Sequence, residues 1–150
     1  LDLWSRDVRL HMTGRNVTQG QRPQLTSHVD VKSTLLEYLG LAGEGGDGTC
    51  CANLLPDELH ETQDHLIAEY HARTRPETYN QTLITGKWRL TLYANNPSWG
   101  ELFDRSADPG EHFNLYHNPE FGPIRDELAR QLLDLFPPAP DAGGPSIATY

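Results

Sequence analysis

The side chains best suited to metal chemistry lie in one polar run, residues 60–65, which reads H-E-T-Q-D-H. Histidine and carboxylate side chains bind zinc, and an H-E-x-x-H spacing puts two histidines on one helical face. His65 follows His60 by five positions instead of four, so the two rings would not share that face. The run is therefore predicted to be a solvated loop, and neither a metal site nor a catalytic residue is predicted in this chain.

The charge balance limits the partners that the chain can have. There are 12 Lys and Arg residues against 21 Asp and Glu residues among 150, which gives a net charge of -9. Nucleic acids and anionic membrane surfaces demand clustered basic side chains, so neither is predicted as a partner. No stretch approaches the roughly 20 apolar residues of a membrane span. The length suffices for one ordinary soluble domain with a core.

Two features bear on the cellular compartment, and together they leave it undetermined. Cys50 and Cys51 are adjacent, and neighbouring cysteines rarely satisfy disulfide geometry, so no disulfide framework is predicted. Residues 1–7 lack the basic start and apolar stretch of a signal peptide. The chain also has no initiator methionine, so we expect a processed product or a piece of a longer protein.

The periodicity of apolar residues predicts the elements that must position any functional side chain. Residues 8–12 read as a strand, and a helix is predicted from Asp30, as its cap, to Gly40, as its end. Residues 66–70 fit either a strand or the end of a helix. Residues 81–85 and 88–93 are rich in β-forming side chains and are joined by Gly86 and Lys87, which predicts a hairpin. Residues 101–103 are predicted to form a further strand.

The last predicted element is a helix of about 15 residues behind a corner rich in turn formers. Asp108-Pro109-Gly110 supplies a turn starter, a fixed φ and a permissive residue. Asn118 is placed to cap, with Pro119 at the first helical position. Helical spacing then predicts that one apolar stripe reaches the sheet, formed by Ile124, Leu128, Leu132, Leu135 and Phe136.

The order of these motifs resembles the closing segment of the sulfatase family. That segment has an E-L-[FY]-D step, a D-P-x-E turn, an N-L pair and a [DN]-P-x-[FY] step before a helix. This chain reads E-L-F-D at 101–104, D-P-G-E at 108–111, N-L at 114–115 and N-P-E-F at 118–121. Upstream, G-K-W-R-L at 86–90 and S-H-V-D at 27–30 also resemble family segments, whereas Arg9 and Ser33 replace expected prolines. The resemblance covers roughly residues 8–136.

The resemblance implies an α+β fold in three parts. Residues 1–55 would be the C-terminal edge of an α/β catalytic domain. Residues 56–136 would form a small subdomain, an antiparallel sheet with a C-terminal helix packed on it. Beyond the resemblance, the Pro- and Gly-rich composition of residues 137–150 predicts an extended tail.

The resemblance further implies that the full-length enzyme hydrolyses sulfate esters. Sulfatases use a formylglycine made from the cysteine of a C-x-P-S-R motif, together with a divalent cation, usually calcium. The C-C-A-N-L run at 50–54 is not that motif, so no cofactor is predicted in this chain, and alone it should be inactive. A phosphonate or phosphate ester hydrolase of the same superfamily is one alternative. A stand-alone interaction module derived from a sulfatase tail is another.

The same resemblance suggests substrate-binding residues and partners. His71, Arg73 and Arg75 follow the end of residues 66–70 and would line the rim of a substrate cleft, where they would meet an anionic or polar group. Lys87, in the hairpin turn, is a further candidate. The expected partner is the missing N-terminal catalytic portion, or a second copy of the chain if the exposed docking surface pairs with itself.

Overall fold

The structure of the chain is a computed structural model that describes residues 11–15, 17–20, 24–41, 48–52, 63–70 and 78–136. It divides into two compact units, residues 1–62 and 63–150. The predicted domain boundary between residues 55 and 56 and the predicted tail lie outside the described residues, as does most of the predicted strand 8–12. His11 and Met12, the described part of that strand, have no regular secondary structure.

Helix α1, Val29–Tyr38, is the helix of the first unit. Asp30 does not cap it as predicted, because the helix begins one residue earlier and Asp30 lies in the first turn. The buried Asp30 carboxylate instead accepts the N–H of Ser27 at 2.6 Å and that of Thr49 at 2.8 Å. An acid in the first turn also suits the positive end of the helix dipole. Asp30 therefore ties residues 48–52 to the start of α1.

The end of α1 follows the prediction for Gly40. This residue has a φ of +67°, a conformation that glycine adopts without strain. Its N–H donates to the Glu37 carbonyl at 3.0 Å, and the N–H of Leu41 donates to the Leu36 carbonyl at 2.8 Å. These two bonds form a Schellman motif that satisfies the last carbonyls of the helix.

The second unit is built on an antiparallel sheet whose four strands are neighbours in chain order. Its strands are β1, His65–Tyr70, β2, Asn80–Thr85, β3, Trp88–Tyr93, and β4, Gly100–Asp104. The predicted hairpin through residues 86 and 87 is confirmed, and residues 65–70 are a strand. The register places Leu83 opposite Leu90 and Leu90 opposite Leu102. Because side chains alternate along a strand, these leucines share one face of the sheet, which we call the leucine face.

The C-terminal helix packs on the leucine face. Asn118 accepts the N–H of Glu120 at 3.0 Å and so caps a short 3₁₀ turn, Pro119–Phe121, that leads into α2, Gly122–Leu135. Leu128 and Leu132 of α2 form one buried cluster with the three leucines of the sheet. The predicted burial of Leu135 is wrong, since this residue is 44% exposed. The helix ends there, and the next residue, Phe136, packs against the cluster.

Candidate functional site

Of the four residues predicted to contact the substrate, Lys87 lies within the described part of the chain. It occupies the turn between β2 and β3, and its side chain is 57% exposed. The Lys87 ammonium is 3.7 Å from Asp104 Oδ2 and 4.9 Å from the centre of the Trp88 ring. A carboxylate and an aromatic face both attract a cation. An anionic substrate group would therefore compete with Asp104 for an ammonium group that solvent already reaches.

His71 and Arg73, together with Arg75, lie outside the described residues. The strand ends that flank their segment are Tyr70 and Asn80, which pair with each other across β1 and β2. Lys87 follows the other end of β2, beyond Thr85. Six strand residues at about 3.3 Å each separate the two ends of the sheet by roughly 20 Å. The structure therefore places Lys87 at one end of the sheet and the strand ends that flank residues 71–77 at the other.

A cluster of charges covers the face of the sheet opposite the leucine face. Glu111, which is only 4% exposed, has Oε2 at 2.8 Å from Arg89 Nε and Oε1 at 3.7 Å from Arg105 Nε. Arg89 also donates to Glu101 Oε2 at 3.1 Å, and its guanidinium lies 4.8 Å from the centre of the Phe103 ring. We call Glu111, Arg89, Arg105 and Glu101 the corner cluster. It fixes the chain corner after β4 to the surface of β3 and β4.

The corner cluster also reaches the turn that holds Lys87. Arg105 donates its backbone N–H to the Lys87 carbonyl at 2.7 Å and its Nη1 to the Thr85 carbonyl at 3.2 Å. The guanidinium of the same arginine faces Glu111. A buried carboxylate on one loop therefore braces the backbone of the turn at the end of the β2–β3 hairpin.

The backbone of the corner is arranged to bring Glu111 into place. Glu111 has a φ of +52°, an uncommon conformation for a residue with a side chain, and its N–H donates to the Asp108 carbonyl at 3.0 Å. The Asp108 carboxylate accepts the N–H of Phe113 at 2.9 Å and contacts His112 Nδ1 at 3.1 Å. The backbone hydrogen bond from Phe113, with the help of His112, lowers the pKa of Asp108.

A single asparagine covers the outer edge of β4. Asn114 Oδ1 accepts the N–H groups of Leu102 and Tyr116, each at 3.0 Å, and Nδ2 donates to the Gly100 carbonyl at 3.0 Å. The N–H of Leu115 donates to the Leu102 carbonyl at 2.8 Å. The asparagine and leucine of the sequence motif thus fix the corner segment alongside the strand.

Sequence reasoning identified this corner as a turn but missed its ion pairs. One signal was the glutamate of the D-P-x-E motif, Glu111, because a turn alone does not require a charged side chain at that position. A second signal was Arg89, a lone charge between Trp88 and Leu90 in a strand. Neither signal reveals its partner, since Arg89 and Glu111 are 22 positions apart in the sequence.

No group of three or more His, Cys, Asp or Glu side chains in the described ranges could hold a metal ion. The buried carboxylates of Glu111 and Asp30 are engaged, Glu111 by two arginines and Asp30 by backbone N–H groups. Asp104 Oδ1 likewise accepts the N–H groups of Ser106 and Ala107, each at 3.0 Å. Of the polar run at 60–65, residues 60–62 lie outside the described residues, and Asp64 contacts His65 at 2.5 Å. Among the described residues, these carboxylates are thus engaged in other contacts and do not form a calcium site.

Neither α1 nor α2, the helices of the described part of the chain, is long and apolar enough to cross a membrane. Their exposed polar side chains agree with this. The outer face of α2 carries Arg130, which pairs with Glu127 at 2.6 Å and with Asp134 at 3.0 Å.

Solved structures of sulfatases share this architecture. One is a 2-O GAG sulfatase, with a TM-score of 0.70 and 25% identity over 81% of this chain and 28% of that one. Another is a Bacteroides thetaiotaomicron protein assigned to the sulfatases, with a TM-score of 0.71 and 26% identity over 82% of this chain and 28% of that one. A phosphonate monoester hydrolase of Agrobacterium radiobacter has a TM-score of 0.62 and 22% identity, over 75% of this chain and 25% of that one.

This chain thus spans little more than a quarter of the length of the solved structures that it matches. A comparison with curated proteins gave no match. The family model described as "N-sulphoglucosamine sulphohydrolase, C-terminal" matches residues 8–137, which include every described strand and helix. The chain therefore belongs to the family of N-sulphoglucosamine sulphohydrolase C-terminal domains and corresponds to the C-terminal portion of a sulfatase.

Proposed function

We propose that this chain is the C-terminal segment of an enzyme whose full-length form hydrolyses sulfate esters to an alcohol and sulfate. The observation that carries the proposal is the family match over residues 8–137. The four-stranded sheet with one packed helix agrees with it, because solved sulfatases contain the same arrangement. In the proposed enzyme this subdomain forms one wall of the active-site cleft.

The nucleophile and the metal site belong to the missing N-terminal catalytic portion in this proposal. In full-length relatives, a formylglycine and a calcium ion would supply the nucleophilic oxygen and neutralise the sulfate charge. Among the described residues, no group of three or more His, Cys, Asp or Glu side chains could hold the metal ion, and the buried carboxylates of Glu111 and Asp30 are engaged with arginines and backbone N–H groups. Cys50 and Cys51 lie in a T-C-C-A-N run that lacks the modification motif. The role of this chain is therefore to bind and enclose the substrate.

Lys87, His71 and Arg73 are the side chains that we propose for contact with the substrate. The support for Lys87 is its exposed ammonium group on a braced turn. A neutral substitution there should raise KM for a sulfate ester more than it lowers kcat, because the charge would bind the substrate in its ground state as well. His71 and Arg73 are proposed on sequence grounds alone.

The test uses the full-length reading frame that contains this chain, expressed with a formylglycine-generating enzyme and assayed with p-nitrophenyl sulfate. We expect sulfate release by the full-length protein and none by the 150-residue chain, with or without calcium. The frame should also encode a C-x-P-S-R motif upstream. Turnover by the short chain that survives repurification, or a full-length protein that releases no sulfate from any ester tested, would contradict the proposal.

A phosphonate monoester hydrolase is the second candidate, and the Agrobacterium radiobacter structure favours it. That likeness is one of fold alone, at 22% identity. The two candidates differ in the group that they hydrolyse, so the same full-length protein should be assayed with p-nitrophenyl phenylphosphonate. A kcat/KM for the phosphonate above that for the sulfate would favour this second candidate.

A further inference from the structure

Strand β1 forms one edge of the sheet, and one side of its backbone points away from the other strands. The strands pair in chain order, so β2 lies on one side of β1 and no described strand lies on the other. Both backbone groups of Leu102 on β4 bond outside the sheet, and bonding directions alternate along antiparallel strands. Leu90, opposite Leu102, therefore bonds with Leu83, and Leu83 in turn points away from Ile67. The N–H and carbonyl groups of Ile67 thus point outward.

The outward backbone groups of β1 belong to Ile67 and, by the same alternation, to His65 and Glu69. Within the described part of the chain, no hydrogen bond outside the pairing with β2 reaches the backbone of these three residues. Edge strands that meet only water are normally very short, interrupted by a bulge or a proline, or lined with lysine. β1 is six residues long, contains neither lysine nor proline, and pairs with β2 without a bulge. Its backbone over residues 65–69 can therefore accept a further strand.

We propose that β1 pairs with β1 of a second copy of this chain, antiparallel and around a two-fold axis at Ile67. In this register Ile67 lies opposite the partner's Ile67, and His65 lies opposite the partner's Glu69. All of these residues point outward, and each such pair exchanges two backbone hydrogen bonds. The contact uses the same surface on both copies, as a two-fold interface requires. The result is one continuous sheet through two chains.

The side chains of β1 complement themselves in this register. His65 and Glu69 share the leucine face with Ile67, because each lies two positions from it. The axis therefore sets an imidazole opposite a carboxylate at both ends of the contact, and opposite charges across strands stabilise a sheet. On the other face, Leu66 meets the partner's Ala68, so apolar side chains also match. A shift of the axis to Glu69 would instead place two carboxylates opposite each other, which is unfavourable.

The atoms that this pairing needs are available on the surface. Asp64 contacts His65 at Nδ1, which leaves Nε2 for the partner's Glu69, and the His65 side chain is 28% exposed. Glu69 is exposed and accepts the Tyr79 hydroxyl at Oε1, which leaves Oε2 for the partner's His65. This match of charge and shape favours a second copy over an unrelated strand, which has no reason to present a histidine and a glutamate at these positions.

This inference goes beyond the proposed function, because it concerns assembly and needs no hydrolysis. The test is sedimentation equilibrium of the 150-residue chain over a wide range of concentrations, where we expect a reversible change from monomer to dimer. Glu69→Arg should raise the dimer dissociation constant at least about tenfold, or about 1.4 kcal/mol, because it faces the partner's His65 with a like charge. The matched control is Glu120→Arg, the same charge change at an exposed residue outside β1. The control should dimerise as the unmodified chain does.

A second substitution tests the register itself. His65→Glu added to Glu69→Arg restores opposite charges between the copies, so we expect the dissociation constant to return close to that of the unmodified chain. Within one chain the two residues lie four positions apart on a strand, roughly 13 Å, too far to pair with each other. Recovery in the double variant therefore reports contact between copies.

Three outcomes would overturn the inference. They are a chain that stays monomeric at every concentration, a dimer that a folded Glu69→Arg variant leaves unchanged, and a monomeric full-length protein, in which the missing portion would cover β1. If Glu69→Arg does not fold, His65→Pro removes an outward N–H without a loss of bonds to β2, and unchanged dimerisation would equally overturn the inference. Sulfate release is assayed separately, so failure of the proposed function leaves this measurement unaffected, and the reverse also holds.

Discussion

The two faces of the sheet are built from the same strands, yet they are stabilised in different ways. On one face, Leu83, Leu90 and Leu102 pack against Leu128 and Leu132 of α2, and no charged side chain belongs to this buried cluster. On the other, Arg89 and Glu101 of the strands meet Glu111 from the corner. Because side chains alternate along β3, the consecutive residues Arg89 and Leu90 lie on opposite faces, one charged and one apolar.

This difference indicates that the stability of the leucine face depends on the shape of its side chains, whereas that of the opposite face depends on the pairing of opposite charges. Apolar burial is non-directional and roughly proportional to area, so a leucine can be exchanged for another apolar residue of similar volume at modest cost. A buried carboxylate between two guanidinium groups tolerates no such exchange, because the removal of one partner leaves the others desolvated and unpaired. The leucine face should therefore tolerate conservative changes that the corner cluster does not.

The largest expected effect is on the leucine face. Leu132→Ala removes a fully buried side chain, so we expect it to lower the free energy of unfolding by about 2–5 kcal/mol. Leu135→Ala is the matched control three residues later, and its exposed side chain should cost about 0.5 kcal/mol or less. Urea denaturation followed by circular dichroism measures both. Equal effects would mean that α2 is not docked through Leu132.

We expect the chain to lose stability when a charge of the corner cluster is removed without a change in side-chain shape. Glu111→Gln keeps the side-chain volume but removes the carboxylate that faces Arg89 and Arg105, and we expect a loss of about 1.5–3 kcal/mol. The matched control is Glu120→Gln, which removes an exposed glutamate at the start of the 3₁₀ turn. The same urea experiment applies. A loss no larger than that of the control would show that the ion pairs contribute little.

The cap of the last helix should have a smaller effect than either face. Asn118→Ala removes the oxygen that accepts the Glu120 N–H, and we expect a cost of about 1 kcal/mol. Asn118→Asp, which keeps an acceptor oxygen at this position, should retain most of the stability. If the alanine variant were as unstable as Leu132→Ala, Asn118 would have a role beyond capping.

The smallest expected effect is a dependence on pH at Asp108. Its pKa is lower in the folded chain, because the ionised form accepts the Phe113 N–H. Stabilisation by this carboxylate is therefore present above its unfolded pKa, about 3.9, and is lost as the pH falls through the lowered folded value. Asp108→Asn should thus lose less stability than the unmodified chain between pH 5 and pH 3. Thermal melts at the two pH values measure the difference, and parallel losses would argue against the assignment.

Most elements of the second unit were predictable from sequence because they have strong local signals, whereas residues 66–70 fitted either a strand or the end of a helix. Residues 86 and 87 join two β-rich runs, and the helix after Asn118 has a cap and a stripe at helical spacing. The prediction failed at one position of the stripe, since Leu135 is exposed, whereas Phe136, which the stripe also included, packs against the core. The spacing of apolar residues predicts which face of a helix packs on the sheet, but it cannot show at which residue the helix ends and the contact with the sheet changes.

The site was less predictable than the fold, because its contacts join residues far apart in sequence. The family resemblance, drawn from motif order, was correct and is confirmed by the family match. It treated the glutamate at position 111 as part of a turn motif and gave no reason for it. The reason lies in Arg89, a partner that only the folded sheet brings near. The substrate-binding roles of His71, Arg73 and Lys87 stay predictions.

The bonds that Asn114 makes along β4 have a consequence for assembly. The outward-facing groups of this strand include the Gly100 carbonyl, both backbone groups of Leu102 and the Asp104 carbonyl, and all of these already have partners in the same chain. The unpaired N–H and C=O groups of an exposed edge strand can pair with a strand of another chain, which leads to domain swapping and fibril formation. Along β4 these backbone groups are already bonded to the chain's own corner segment. Asn114 therefore also blocks the pairing of β4 with a strand of another molecule.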